Sequence, residues 1–440
     1  MKHGSDHKTT PRPFDSYLTI RLYNVTCCLL FMTMKSQTLH FIHLFFASLI
    51  FGMGYIHFRF IRVVTRSRLK RGLLSAFVLS SVFAVFVSFA LKLSGKLGLT
   101  SDLTAWYAYL GLGYLSFLLF LIVTRDVILM AQTISKRLFT RARKSSFEQS
   151  PAALDLPERP EKMARRIFLK QSVSHSLAGA SFVFSGIGIH QAHKTPAVKD
   201  LIVHIKNLPE SLAGFSIVQI TDIHLGPTLK KPFLEKVVAR VNSLKPHVIA
   251  LTGDLVDGFV DELEGDIQPL KHLTSQYGNF FVTGNHEYYF NGLAWIDAVG
   301  RVGFKTLIND HSIVTHGDGK ILIAGVPDLK AERFVSSHRP DPVASLTNAP
   351  PAHVKILLAH QPNSVIQAAE AGFDIQISGH THGGQIFPWN HFVALNQPFL
   401  AGLYTHGCVR LYVSRGTGYW GPPMRFLAPS EITRIILAPS

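Results

Sequence analysis

The stretch Leu251-Thr-Gly-Asp-Leu-Val-Asp257 decides the fold predicted for this chain. The apolar run from Val248 to Leu251 indicates a buried strand. Gly253 then allows a sharp backbone turn, which leaves Asp254 at the carboxyl end of that strand. Because open α/β sheets bind ligands at that edge, the stretch predicts an α/β fold with a functional site at the strand ends.

Other polar side chains follow apolar runs in the same way. They are Asp222 and His224, Asn285 and His286, His360, and the pair His380 and His382. A carboxylate such as Asp254 can bridge two cations, and the remaining groups are the nitrogen and oxygen donors of two-metal hydrolytic centres. Each segment alone also fits ordinary structure, because an Asp near a strand end commonly caps a helix. The two histidines of Gly-His-Thr-His-Gly are harder to explain by packing, because the flanking glycines favour close backbone approach.

Composition predicts two kinds of region. The 440 residues carry a formal charge of +16 and 47% hydrophobic residues, a hydrophobic share that is high for a soluble protein. Apolar residues concentrate before about Phe120, and much of the positive charge lies beside them, as in segment 59–71. Such charge is typical of the cytoplasmic ends of membrane helices. No nucleic-acid-binding motif of the usual kinds occurs, so no nucleic-acid partner is expected.

The region 38–143 is predicted to be an all-α membrane region with three helices, over 39–56, 73–91 and 106–123. Each is long enough to cross a bilayer and contains no Asp, Glu, Lys or Arg. For the polar segment 1–37 no structure is predicted, and disorder is one interpretation. The basic clusters before the second span and after the third predict cytoplasmic loops, which puts the amino terminus outside.

A linker is predicted over 144–164, followed by a signal or anchor helix over 165–195. The latter begins with Arg165-Arg166-Ile-Phe-Leu-Lys170 and continues into a weakly apolar run at 176–189. One interpretation is a twin-arginine export signal, and another is a basic anchor before a fourth membrane helix. Both carry the following domain out of the cytoplasm. A third interpretation, an interfacial helix, leaves that domain inside.

The region 196–440 is predicted to be one α/β domain. Strand and helix patterns alternate along it, with more strands than a single sheet would hold. Helices are predicted near 232–243, 262–275, 293–299 and 364–371. The region is therefore expected to contain more than one sheet.

The order and spacing of the polar segments resemble the calcineurin-like metallophosphoesterase superfamily. Its pattern of D-x-H, G-D-x-x-D, G-N-H-E, H and G-H-x-H is matched here by the segments that begin at Asp222, Gly253, Gly284, His360 and Gly379. Every element is present, so the joint signal is strong although each part is weak. The likeness extends from about Leu201 to the end, and it is closest to members that carry membrane helices ahead of the catalytic domain.

The resemblance implies a four-layer α/β/β/α sandwich preceded by an all-α membrane region of three to four transmembrane helices. It also implies two divalent metal ions, for which Mn, Fe, Zn and Mg are candidates. Carried over by position, one metal would be held by Asp222, His224, Asp254 and His382, and the other by Asp254, Asn285, His360 and His380. His286, oriented by Asp257, would be the general acid, and a hydroxide held between the metals would be the nucleophile.

The resulting hypothesis is a membrane-tethered phosphoesterase that hydrolyses a phosphate mono- or diester. A lipid-linked pyrophosphate is one candidate substrate, because some members of the family act on lipid precursors. The alternative is a membrane receptor or scaffold whose phosphoesterase-like domain only binds, but the complete ligand set favours the enzyme. The expected partners are the lipid bilayer and the phosphoester, and the oligomeric state stays open. A multi-pass membrane protein is expected, in the cytoplasmic membrane if the source is bacterial, with the catalytic domain on the extracytoplasmic side.

Overall fold

The computed structural model describes residues 47–94, 98–144 and 160–440. The polar segment predicted over 1–37 and most of the linker predicted over 144–164 lie outside the described residues. The described residues fall into two compact units, one that contains 47–60 and one that contains the described residues from Ile61 to Ser440. The described part of the first unit is helical.

Four helices in the described ranges are long and apolar enough to cross a membrane. They are α1 (Ala47–Val64), α2 (Arg68–Leu93), α3 (Leu99–Lys144) and α4 (Pro160–His193). The first three contain or overlap the predicted spans, although α1 is described only from Ala47. The fourth coincides with the predicted signal or anchor segment, and it begins earlier than predicted, inside the end of the predicted linker.

Helices α2, α3 and α4 pack side by side in alternating directions. The Ser80 hydroxyl of α2 lies 2.6 Å from the Tyr107 hydroxyl of α3. Between α3 and α4, the ring of Trp106 stacks on His193, and further along α3 the ring of Phe117 meets Phe184. Residue numbers along α4 fall as those along α3 rise, from Trp106 with His193 to Phe117 with Phe184. The same holds for α2, where Ser80 meets Tyr107 and Phe77 meets Tyr114. Neighbouring helices are therefore antiparallel. The basic residues at the start of α2, the end of α3 and the start of α4 therefore lie at one common end.

After α4 the chain forms two six-stranded sheets. The strands are β1 (Ala197–Ile205), β2 (Ser216–Ile220), β3 (Val248–Thr252), β4 (Asn279–Val282), β5 (Lys305–Thr306), β6 (Asp310–His316), β7 (Gly319–Gly325), β8 (Val354–Leu358), β9 (Ile375–Ser378), β10 (Gly402–His406), β11 (Val409–Val413) and β12 (Glu431–Pro439). Their order is β1-β12-β2-β3-β4-β5 in the first sheet and β10-β11-β9-β8-β7-β6 in the second. The strands β2, β3 and β4 are parallel, as are β7, β8 and β9.

Six further helices follow in this domain. They are α5 (Lys231–Asn242), α6 (Val260–Ile267), α7 (Asn285–Tyr289), α8 (Gly292–Arg301), α9 (Val365–Glu370) and α10 (Trp389–Asn396). Of these, α5, α6 and α8 cover the outer face of the first sheet and α9 that of the second. Alternation along β2 sends Ile217 into a core between the two sheets and Val218 into a second core beneath α5. A third core lies between the second sheet and α9, around Val365. These three cores separate four layers, so the predicted α/β/β/α architecture is confirmed.

Two details differ from the prediction. The helix predicted near 262–275 is split into α6 and a 3-10 turn at Gln268–His272, where Pro269 lies in the first turn and lacks an amide hydrogen for the helical ladder. Strands β5, β6 and β10 were not predicted. All three lie at sheet edges, where one side of the strand is unpaired and the apolar pattern is weak.

Candidate metal centre

The predicted site residues lie at the carboxyl ends of five strands. Asp222 and His224 follow β2, Asp254 and Asp257 follow β3, and Asn285 and His286 form the first turn of α7 after β4. On the second sheet, His360 follows β8, and His380 and His382 follow β9. The strands β2, β3 and β4 of the first sheet are parallel, and so are β8 and β9 of the second. Their carboxyl ends therefore meet at one edge of the sandwich.

Many of these residues have a left-handed backbone. The φ angle is 53° at Asp222, 56° at His224, 52° at Asp254, 75° at His380 and 52° at His382. Because β2 ends at Ile220, strand alternation does not set the direction of the Asp222 and His224 side chains. Asp, Asn and His tolerate this conformation better than most residues do, and such strain concentrates at functional sites.

One group of side chains comprises Asp222, His224 and His382, all buried. The Nε2 atoms of His224 and His382 are 3.0 Å apart, and His382 Nε2 lies 3.6 Å from Asp222 Oδ1. The backbone amide of His380 donates to the Asp222 carboxylate, and so does the Thr221 hydroxyl. The carboxylate is therefore oriented toward the imidazoles before any ligand binds.

A second group comprises Asp254, His360 and His380. Asp254 Oδ2 lies 3.1 Å from His360 Nε2, which is 3.2 Å from His380 Nδ1. His360 Nδ1 lies 2.8 Å from the Thr252 carbonyl oxygen, which can only accept a hydrogen bond. The proton of a neutral His360 is thus held on Nδ1, and Nε2 is left as the ligand atom.

Asp254 lies between the two groups. Its Oδ2 is 3.7 Å from His224 Nε2 and 4.0 Å from His286 Nε2. Its Oδ1 accepts a hydrogen bond from the amide of His286. Gly253 and Gly284 allow this proximity, because a Cβ on Gly253 would lie 2.5 Å from the Gly284 nitrogen. The third group that could hold a metal is His224, Asp254 and His286, so His286 lies within reach of the same carboxylate.

These residues fit divalent cations. The Asn285 side-chain oxygen is buried and has no hydrogen-bond partner among the described residues. Ring nitrogens face each other at contact distance in two pairs of histidines, His224 with His382 and His360 with His380. This arrangement favours a proton or a cation between the two nitrogens of each pair. Burial, and then His360, lower the pKa of His380 to about 3, so that one nitrogen of its neutral ring is free to bind a cation. The mixture of carboxylate, amide and imidazole donors is one that Mn, Fe, Zn and Mg can all use.

His286 and Asp257 form a separate pair at the edge of the cluster. Asp257 Oδ1 lies 2.5 Å from His286 Nδ1 and 3.2 Å from His224 Nδ1. Burial lowers the pKa of His286, but Asp254 and Asp257 together raise it to about 9. His286 is therefore held protonated near neutral pH, which suits a proton donor.

Asp257 has a further partner from the membrane helices. Lys92, in the last turn of α2, places its Nζ 3.7 Å from Asp257 Oδ2, and both side chains are buried. Burial raises the pKa of Asp257, but Lys92, then His286 and His224, outweigh burial and hold the pKa well below its usual range. Asp257 thus contacts both His286 of the α/β domain and Lys92 of a membrane helix.

Three buried groups at this site were assigned no role from sequence. They are Lys92, Glu287 and Arg425. The Glu287 carboxylate accepts hydrogen bonds from the amides of Asp254, Leu255 and Gly284, which fixes the turn after β3. The Arg425 guanidinium contacts the carbonyl oxygen and Nδ1 of His382. Lys92 could have been singled out from the sequence, because it is a lone charge directly after an apolar span.

Comparisons with known proteins agree with this geometry. The model of the family described as calcineurin-like phosphoesterase matches residues 215–384. The transmembrane protein with metallophosphoesterase domain of Danio rerio is 35% identical over 295 residues, which cover 63% of this chain and 68% of that protein. An uncharacterized metallophosphoesterase of Campylobacter jejuni is 41% identical over 246 residues, covering 56% and 64%. An uncharacterized metallophosphoesterase of Bacillus subtilis is 32% identical over 284 residues, covering 62% and 97%. The matched part thus spans about two thirds of the first two relatives and nearly all of the third.

Proposed function

Because this chain belongs to the calcineurin-like metallophosphoesterase family, we propose that it is a membrane-tethered hydrolase of phosphate mono- or diesters that uses two divalent cations. The observation that carries the proposal is the convergence of two metal-ligand groups on Asp254, with His286 beside them and its Nδ1 2.5 Å from Asp257. A domain that only binds would need the donors but not the adjacent acid. The intact acid therefore favours the enzyme over the receptor or scaffold.

The residues divide the chemistry between them. In our proposal Asp222, His224, Asp254 and His382 hold one cation, and Asp254, Asn285, His360 and His380 hold the other. When bound, the cations supply the positive charge that activates water and neutralises phosphoester oxygens. His286 donates its Nε2 proton to the leaving oxygen, and Asp257 keeps the ring oriented through Nδ1.

The helix packing supports a catalytic domain on the extracytoplasmic side. Asp257 contacts Lys92 at the end of α2, whereas the basic cluster that begins at Arg68 lies at the start of the same helix. Positive charge concentrates on the cytoplasmic side of membrane helices, so the catalytic centre belongs to the opposite side. The antiparallel packing of α4 on α3 also favours a spanning helix over an interfacial one. Either a twin-arginine signal or a plain anchor satisfies this arrangement.

The proposal is tested by hydrolysis assays on the purified full chain after metal removal and reloading with Mn, Fe, Zn or Mg. The substrates are phosphomonoesters, phosphodiesters and a lipid-linked pyrophosphate, which we include because the anchoring bilayer would carry it. We expect activity that depends on added metal. Activity that survives metal removal would refute the metal dependence. No turnover of any substrate in any metal would refute the enzyme and leave the binding-only alternative.

A further inference from the structure

An uncharged segment follows the last histidines of the metal centre. No Asp, Glu, Lys or Arg occurs between Asp374 and Arg410, and this stretch contains α10. Helix α10 buries none of its residues; Phe392 is 57% exposed and Leu395 is 80% exposed. Leu427 is also exposed, and it adjoins this segment because Phe426 is hydrogen-bonded to Gln385 and Phe387. We name Phe392, Leu395 and Leu427 the apolar face.

The same segments pack on the membrane helices. The ring of Phe387 meets Phe120 of α3, and the ring of Phe426 meets Phe117 of α3 and Phe184 of α4. The Met424 side chain lies against Gly113 of α3 and Gly188 of α4; a Cβ on Gly113 would collide with it, and a Cβ on Gly188 would make a tight contact at 3.1 Å. At 1.5 Å per residue, Phe120 lies about 30 Å along α3 from Leu99. Parts of the catalytic domain therefore lie at the depth of the apolar part of α3.

Only a thin layer separates this region from the metal centre. Gly384, two residues after His382, packs directly against the backbone of Asn390 in α10. On the other side, the ring of Trp420 lies 5.8 Å from the ring of His286 and is largely exposed. The Gln385 side chain bonds both the amide and the carbonyl of Trp420 and so fixes that residue. Tryptophan favours the membrane interface, where one end of its ring is apolar and the other is wet.

We infer that the apolar face is inserted in the lipid leaflet beside α3 and α4, so that the metal centre opens at the membrane surface and takes phosphoesters carried by lipids. The lipid occupant follows from continuity, because the segments that carry the face already pack on helices that cross the bilayer. The absence of charge from 375–409 removes the cost that lipid contact would otherwise have. The inserted position is inferred from packing and from the absence of charge, and it does not depend on the proposed function. The substrate class does rest on the proposed function.

The insertion is tested with a fluorophore on the apolar face. Leu395→Cys is labelled in a full chain whose three native cysteines are replaced by serine, and the protein is placed in bilayer discs. Quenching by lipids brominated on their acyl chains is compared with quenching by iodide in solution. The matched control is Ile202→Cys, because Ile202 is 56% exposed but lies on β1, roughly 16 Å beyond Ala197.

We expect brominated lipids to quench the Leu395 label strongly and the Ile202 label hardly at all, with iodide giving the reverse order. Equal quenching at the two positions would overturn the insertion. Shielding of the Leu395 label from both quenchers would also overturn it, because another protein or a second copy would then cover the face.

The substrate class is tested with matched pairs that differ only in chain length. One pair is a long-chain and a short-chain alkyl phosphate, and the other is a long-chain and a short-chain alkyl p-nitrophenyl phosphate. The long-chain compounds are held in phosphatidylcholine vesicles. We expect the full chain to hydrolyse the long-chain member of a pair faster than the short-chain member. The double variant Phe392→Ser/Leu395→Ser should reduce that preference roughly tenfold.

Ile202→Ser should leave the chain-length preference unchanged. No preference for the long chain, or a preference that survives the double substitution, would overturn the lipid substrate while leaving the hydrolase in place. No turnover of either pair would instead refute the proposed function, and the quenching result would still decide the insertion.

Discussion

The buried pair between Lys92 and Asp257 allows the sharpest prediction about stability. Lys92→Met keeps an unbranched apolar stem in place but removes the ammonium that faces Asp257. The carboxylate would then be buried against imidazoles alone. Its side chain is 9% exposed and that of Lys92 6% exposed, so water cannot replace the lost partner.

The expected magnitude follows from this burial. Removing one partner of a buried ion pair typically costs about 3–5 kcal/mol of unfolding free energy. Because His286 remains beside Asp257 and offsets part of its charge, we expect a loss near the lower end of that range. The chain offers a matched control in Lys230 and Asp102, which also join the catalytic domain to a membrane helix at 3.6 Å. Their side chains are 39% and 28% exposed, so Lys230→Met should cost only about 0–1 kcal/mol.

The assay is denaturant unfolding of the purified full chain in detergent, followed by tryptophan fluorescence. Lys92→Met, Asp257→Asn and the double variant form a cycle, and the double variant should lose less than the sum of the single losses. A loss for Lys92→Met no greater than that for Lys230→Met, or strict additivity in the cycle, would refute the reasoning.

Four further predictions concern the metal centre, the membrane topology and the pH dependence. Asp254→Asn should lower both metal content and hydrolysis, because it removes the charge between the two ligand groups; full metal content with normal turnover would exclude a shared carboxylate. His286→Gln should retain metal but slow turnover roughly 10²–10⁴-fold for poor leaving groups and less for activated aryl phosphates, and equal losses would make His286 structural. A reporter active only outside the cytoplasm should be active when fused after Ser440, and an inactive but stable fusion would reverse the topology. Burial, then His316, lower the pKa of His247, so its neutral ring stabilises the fold above pH 6.5 and this contribution is lost as pH falls; His247→Gln should flatten the fall in melting temperature between about pH 7 and pH 5.

The sequence predicted those parts of the fold whose signal is local. Buried central strands such as β3 appear as apolar runs, and the polar residues that follow them mark the site edge. The edge strands β5, β6 and β10 could not be found in this way, because their stability comes from one neighbouring strand and not from their own apolar pattern.

The candidate site divides in the same way. Six of the seven predicted ligand residues lie in the groups that could hold a metal, because each follows a strand whose position the fold determines. The role of Asn285, beside His286 in the first turn of α7, stays a prediction. The backbone at Asp222 and His224 could not be predicted, since a left-handed turn and a continuing strand have the same sequence here. The contact of Lys92 with Asp257 joins segments far apart in the chain, and no local pattern encodes it.

Two contacts with the membrane helices, the packing of Met424 and the ion pair of Lys92 with Asp257, complete the α/β domain. The state of the domain therefore depends on whether these helices are present. A polypeptide that starts at residue 196 would fold its sheets and bring its histidines together, but it would lack the ammonium opposite Asp257. It would also expose Met424 and lose the hydrogen bond that the Arg425 amide donates to Gly188. The catalytic centre is therefore completed only when the helices are in place. A protein built in this way couples its maturation to membrane integration, and copies that fail to reach the bilayer retain an unfinished site.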